Sequence, residues 1–135
     1  MGQPKGVDSE MSLTFNQLRD ALDSAAAALG RVQSPADIEP SLVEVLDIIR
    51  DGSVSRNHTL GLLSEYVEHG RPGDWEIWQF LLHALKWPEA KILLHAKYEG
   101  CKTDPRNEPI VRHLLEACED GWDDAEFYRL FRGAT

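Results

Sequence analysis

The chain has 135 residues, a formal charge of −9 at pH 7, 42% hydrophobic residues and 27% charged residues. This length favours one domain with its own core, and the acidic charge argues against direct binding to nucleic acid. No apolar run approaches the roughly 20 residues that a membrane-spanning helix needs, and two cysteines are too few for the disulfide framework of a small secreted domain. These properties predict a cytoplasmic protein without a nucleic-acid or membrane partner.

The amino-terminal segment differs in composition from the rest of the chain. Residues 1–12 contain glycine, proline and charge without an apolar stretch, which is typical of a disordered leader rather than a signal peptide. From Leu13 apolar residues recur at spacings of three and four, which predicts a first helix that ends at Gly30. We therefore expect a leader over 1–12 and a single helical domain over 13–135.

Helices two and three follow between clear start and stop signals. Ser34 offers a cap and Pro35 suits the first helical position, so helix two is predicted to run from there to just before Asp51. A third apolar segment extends from Arg56 to Glu68. The sequence Arg71-Pro72-Gly73 then predicts the sharpest break in the chain.

The second half of the chain contains the most apolar helix. Helix four, capped by Asp74, has an apolar face so wide that it is predicted to lie at the centre of the fold. Trp87-Pro88 ends it and opens helix five, because proline disfavours a helical conformation in the residue before it. Asn107 is the predicted cap of helix six, and a short last helix is predicted over 123–131.

The pattern as a whole predicts an all-α fold with about seven helices. No segment alternates apolar and polar residues over a strand's length. Short connections favour antiparallel neighbours, either in an irregular bundle or in HEAT-like stacked pairs. The stacked arrangement would pair helix one with two, three with four and five with six.

Signatures of catalysis are missing from the sequence. It contains no nucleophile elbow, no glycine-rich phosphate loop and no HExxH zinc motif, which indicates a non-enzymatic protein without a cofactor or metal. Cys118 lies on the apolar stripe of helix six and is interpreted as a buried thiol. A metal-dependent enzyme built on His83, His95 and His113, with Glu116 as a fourth ligand, is the least favoured hypothesis.

Acidic residues are the feature with the most functional content. Glu44, Asp47 and Asp51 are spaced to share one face of helix two, opposite its apolar stripe. Such clusters are either solvated surface that aids solubility or patches that meet a basic protein. A second dense cluster consists of Glu116, Glu119, Asp120, Asp123, Asp124 and Glu126.

Tryptophans add candidate anchors for a partner. Trp78 follows the apolar stripe of helix four and is predicted to be a core residue. Trp75, Trp87 and Trp122 lie at helix ends, where indole rings are often half exposed. Trp122 lies inside the second acidic cluster, so we include it with the acids as a candidate binding residue.

The segments Gly73–Glu89 and Glu116–Tyr128 resemble small acidic α-helical immunity proteins of bacterial polymorphic and contact-dependent growth inhibition toxin systems. The resemblance covers about the last sixty residues and assigns a role to no single residue. It implies a cytoplasmic inhibitor whose acidic side chains cover the active site of a basic toxin, often a nuclease, in place of substrate phosphates.

The sequence is therefore consistent with two binding hypotheses. The first is an immunity protein that neutralises a cognate basic toxin through one of the two acidic clusters. The alternative is a helical-repeat adaptor or regulatory protein that binds a partner peptide in an apolar groove, with tryptophans as anchors. The sequence leaves the oligomeric state open.

Overall fold

The all-α prediction is confirmed by the structure, a computed structural model that describes residues 3–31, 35–52, 54–69 and 75–132. Side chains are described from residue 16 onward within these ranges, except at positions 35, 36 and 132. The described residues contain no strand. Their helices are α1 (Gln3–Leu29), α2 (Pro35–Arg50), α3 (Arg56–His69), α4 (Trp75–Leu85), α5 (Pro88–Cys101), α6 (Glu108–Ala117) and α7 (Arg129–Arg132), with a 3₁₀ segment at Asp123–Phe127.

Helix α1 is longer than the apolar spacing predicts. It begins at Gln3 rather than Leu13, so residues 3–12 of the predicted leader are helical. Pro4 falls in the first turn, where a backbone N–H has no intrahelical partner to lose. A helix is predicted from sequence by its apolar stripe, and residues 3–12 have no such stripe. The predicted stop is confirmed, because the helix ends just before Gly30.

Helix α4 lies at the centre of the described fold, as its wide apolar face predicts. Seven consecutive residues, Ile77–His83, are buried. Residues that point to every side of a helix can all be buried only if neighbours surround it. Helices α1, α2 and α6 supply contacts around α4.

The predicted pairing of consecutive helices is only partly correct. α1 packs against α2 and α5 packs against α6, as expected. α3, however, makes its main backbone approach to α5 rather than to α4. Tyr66 of α3 still reaches Trp78 of α4, with ring centroids 6.3 Å apart. Among the described helices, the arrangement is an irregular bundle around α4 rather than a stack of three sequential pairs.

The predicted starts of α5 and α6 are confirmed, whereas α5 continues through Gly100 to Cys101. α5 opens at Pro88 after an extended Trp87, and Lys86 adopts a positive φ of 54° at the junction with α4. Asn107 precedes α6, although its side chain makes no capping hydrogen bond. The predicted caps Ser34 and Asp74 and the break at residues 71–73 lie outside the described residues.

The prediction of one short helix over 123–131 is wrong. The 3₁₀ segment Asp123–Phe127 ends at Tyr128, which is extended with φ −111° and ψ 131°, and α7 starts after it. This break turns the Tyr128 side chain into the core, where it is 4% exposed. Its ring packs edge-on against Phe80 of α4, with centroids 5.1 Å apart. Burial of this large ring compensates for the interrupted helix.

Candidate functional site

The acidic stripe of α2 lies on the surface, as its spacing predicts. Glu44 and Asp47 are exposed, whereas Leu42 and Leu46 of the same helix are each only 1% exposed. Asp51 is also exposed and follows the last residue of the helix. Glu44 and Asp47 form no ion pair with any other described residue. The stripe therefore presents two carboxylates whose charge no described side chain neutralises.

The second acidic cluster is divided by its ion pairs. Glu116, Glu119 and Asp120 each lie within 4.0 Å of a lysine or arginine side chain from α6, α5 or the junction between α4 and α5. The hydrogen bond and charge of Lys86 hold the pKa of Asp120 below its usual range. Exposed pairs of this kind contribute little stability, but they cancel much of the local field. The pairs are Lys86–Asp120 (3.1 Å), Lys91–Glu119 (2.9 Å) and Arg112–Glu116 (Nη1 to Oε2, 4.0 Å).

The other half of the cluster keeps its negative charge. Asp123, Asp124 and Glu126 are exposed and form no ion pair with a described residue. Glu76 of α4 lies near them. Partial burial raises the pKa of its carboxyl, and the nearby charge of Asp124 raises it further. Glu76 was missed by the sequence analysis, since it precedes this cluster by more than forty residues and resembles an ordinary first-turn acid.

Trp122 is buried, which contradicts the prediction that its indole is half exposed at a helix end. It is 8% exposed, and its ring centroid lies 5.1 Å from that of His83 and 6.3 Å from that of Phe131. The residues after Trp122 fold back over it, which no local sequence signal indicates. Trp78 is 5% exposed, so its prediction as a core residue is confirmed.

A shallow concavity lies within the second acidic cluster. Its volume is about 390 Å³, and a carboxylate-rich wall surrounds one edge of the buried indole. Because several carboxylates converge on one space, a cation entering it would meet more than one of them. The lining residues are Glu116, Glu119, Gly121, Trp122, Asp123 and Asp124.

Exposed apolar side chains accompany the unneutralised acids. Phe127 is 52% exposed and Leu130 is 38% exposed. The sequence does not mark either residue as a binding residue, because each fits the apolar pattern of a helix packed on the core. We use the name C-terminal face for the exposed side chains of this segment, namely Asp123, Asp124, Glu126, Phe127 and Leu130.

The histidines proposed as metal ligands occupy separate environments. His83 is buried and its Nδ1–H donates to the carbonyl oxygen of Ala117 at 2.9 Å, whereas His95 is exposed. His113 packs on Trp75, with ring centroids 4.5 Å apart. Among the described residues, no group of three or more His, Cys, Asp or Glu side chains is arranged to hold a metal ion.

A second groove lies between α1, α3 and α4. It encloses about 250 Å³. Tyr66 and Trp78 contribute aromatic surface, and Arg19 pairs with Glu65 at 3.3 Å along its rim. This groove is the surface in the described residues that best fits the alternative hypothesis of an adaptor for a peptide.

The environment of His83 predicts a dependence of stability on pH. Burial lowers the pKa of His83; the Ala117 carbonyl opposes this effect, and the charge of Lys86 adds to it. The unfolded chain, with a histidine pKa of about 6.5, therefore takes up a proton before the folded chain does. We expect the contribution of His83 to stability to be complete above that pH and to be lost as the pH falls below it.

Urea unfolding at a series of pH values tests this prediction. His83→Gln should flatten the decline in the free energy of unfolding between about pH 7 and about pH 5. His95→Gln is the matched control, because His95 is exposed on α5. An equal decline in the two variants would contradict the assignment to His83.

Comparison with known proteins identifies no similar protein. No family model matches the chain, and neither a curated protein nor a solved structure matches it. Within the described ranges, no helix combines the length and apolar character that a membrane span requires.

Proposed function

We propose that this protein is a non-enzymatic immunity protein that acts in the cytoplasm by binding and neutralising a cognate basic toxin. The observation that carries the proposal is the uneven neutralisation of its acids. Many carboxylates on α3, α5 and α6 have basic partners within 4 Å. The exposed carboxylates Glu44 and Asp47 of α2, and the three on the C-terminal face, have no such partner among the described residues.

Unneutralised carboxylates would serve such an inhibitor in two ways. They project a negative potential that accelerates encounter with a basic protein and selects against acidic partners. If the toxin is a nuclease, they also match the cationic site that binds substrate phosphates. Acids in ion pairs contribute little to either effect, because a neighbouring ammonium or guanidinium group cancels their electrostatic field.

The proposal is tested by capturing the partner on the tagged protein, eluting it with a salt gradient and identifying it by mass spectrometry. A basic toxin should elute with salt, because added ions screen exposed charges beyond a Debye length of about 8 Å at physiological ionic strength. Binding rates are then measured with purified toxin. Neutralisation is measured as survival of cells that express the toxin.

Charge reversal provides the decisive variants. We expect Glu44→Lys with Asp47→Lys, or Asp123→Lys with Asp124→Lys, to slow association about tenfold at low salt. Glu65→Lys with Glu99→Lys is the matched control, because it changes net charge equally on α3 and α5. Unchanged binding and protection after reversal of both acidic surfaces would refute the proposal.

The adaptor remains the second candidate, and the groove between α1, α3 and α4 is the observation that favours it. A peptide held there would be bound mainly by apolar contact, so its affinity would change little with salt. Leu22 of α1 lines this groove and is only half-buried, so Leu22→Arg would place a charge in the groove and abolish such binding. The same variant should leave capture of a basic toxin unchanged.

A further inference from the structure

Exposed apolar surface is concentrated at the carboxyl-terminal end of the described chain. Three large hydrophobic side chains are exposed among the described residues, namely Ile92 (70%), Phe127 (52%) and Leu130 (38%). Phe127 and Leu130 both belong to the C-terminal face and are three positions apart in the sequence. A large exposed aromatic ring is costly to leave in water, and it is a typical anchor at protein interfaces.

Charge and apolar surface coincide on the 3₁₀ segment. In a 3₁₀ helix the side chains at positions i and i+3 eclipse each other. Asp124 therefore lies one turn from Phe127 along one edge of the segment. Asp123 lies one turn from Glu126 along another edge. A group that packs on the Phe127 ring consequently meets a carboxylate beside it.

The charge of this region defines the partner that fits it. Glu76, Asp123, Asp124 and Glu126 are exposed acids, whereas Arg129 is the exposed base that accompanies them among the described side chains. A second copy of the chain carries the same charge of −9 and would be repelled. An apolar surface set among carboxylates fits a segment that carries both cations and an apolar side chain.

We propose that the C-terminal face is the docking surface for a basic protein segment with one large apolar side chain. The apolar side chain packs on Phe127 and Leu130. Cations on either side of it pair with Asp124 and enter the concavity lined by Asp123. This inference rests on the proposed function and deepens it, because it selects one of the two acidic surfaces and adds an apolar anchor.

Two synthetic peptides test the proposal with the full-length protein. One is short and lysine-rich with a central tryptophan, and the other replaces that tryptophan with serine. Amide chemical shifts of the labelled protein report where each peptide binds. We expect shifts centred on residues 123–130 and on Glu76, with about tenfold tighter binding of the tryptophan peptide.

Variants separate the anchor from the general charge. Phe127→Ser should remove the preference for the tryptophan peptide, whereas Ile92→Ser on α5 should preserve it. Asp124→Asn should weaken both peptides, since it removes a carboxylate and leaves the ring in place. Should Phe127→Ser fail to fold, Leu130→Ser carries the same test of the preference for the tryptophan peptide. Equal affinity for both peptides, or shifts centred on Glu44 and Asp47, would overturn the proposal.

The outcomes also distinguish this inference from the proposed function. A toxin that is still neutralised at full strength by the Phe127→Ser variant would refute the docking surface and leave the immunity function standing. A protein that binds the tryptophan peptide at Phe127 but captures no toxin would refute the immunity function and leave the docking surface standing.

Discussion

Replacing Trp122 with alanine is expected to lower the free energy of unfolding by about 4 kcal/mol, the cost of removing a large aromatic side chain from a core. The indole is 8% exposed and lies against His83, Tyr128 and Phe131. These rings join α4 to the carboxyl-terminal segment. The cavity left by the truncation would therefore loosen the packing that holds this segment in place.

Urea denaturation of Trp122→Ala and of Trp75→Ala measures this effect against a matched control. Trp75 is half-buried and also contacts a histidine ring, so its loss should cost about half as much or less. The opposite result is informative as well. If Trp122→Ala kept its stability and lost only partner binding, the indole would be the exposed contact that the sequence predicts.

The parts of the fold that the sequence predicts well depend on local periodicity. The stripe of α4 and the junction at Trp87-Pro88 are set by residues within one or two turns of one another. The surface position of Glu44 and Asp47 follows from the same periodicity, because it is opposite to Leu42 and Leu46. Such features need no knowledge of the neighbouring helices.

The candidate site depends instead on residues that are distant in sequence. Lys86, between α4 and α5, pairs with Asp120, and Lys91 of α5 pairs with Glu119. Spacing along the chain therefore cannot tell which acids are neutralised. Glu76 approaches Asp124 only because α4 lies beside the carboxyl-terminal segment. The sequence predicts a cluster of six acids, but the division of that cluster follows from tertiary packing.

Glu39 is the clearest example of a residue whose role depends on a contact distant in sequence. It is 8% exposed on α2, although a glutamate is almost never buried unless it is paired. Its Oε1 accepts a hydrogen bond from the Arg129 N–H at 2.9 Å, and its Oε2 accepts one from the Leu130 N–H at 2.9 Å. One buried carboxylate thus connects α2 to the first turn of α7.

Glu39→Ala is expected to lower the free energy of unfolding by about 3 kcal/mol, because two backbone N–H groups lose a charged acceptor in a buried site. Glu44→Ala is the matched control on the same helix, and its exposed carboxylate should cost less than about 0.5 kcal/mol. Urea denaturation measures both. Similar losses in the two variants would show that the hydrogen bonds to Arg129 and Leu130 contribute nothing.

The same substitution links stability to the C-terminal face. Glu39 is buried, so a docked peptide cannot reach its carboxylate in the folded protein. If this carboxylate is removed, however, the backbone N–H groups at the start of α7 lose their acceptors. Leu130 is then no longer held beside the 3₁₀ segment that contains Phe127. We therefore expect Glu39→Ala, under conditions where the protein stays folded, to accelerate amide hydrogen exchange at residues 123–130. It should also weaken the tryptophan peptide, whereas Glu44→Ala should do neither, because it leaves the carboxyl-terminal segment attached to α2.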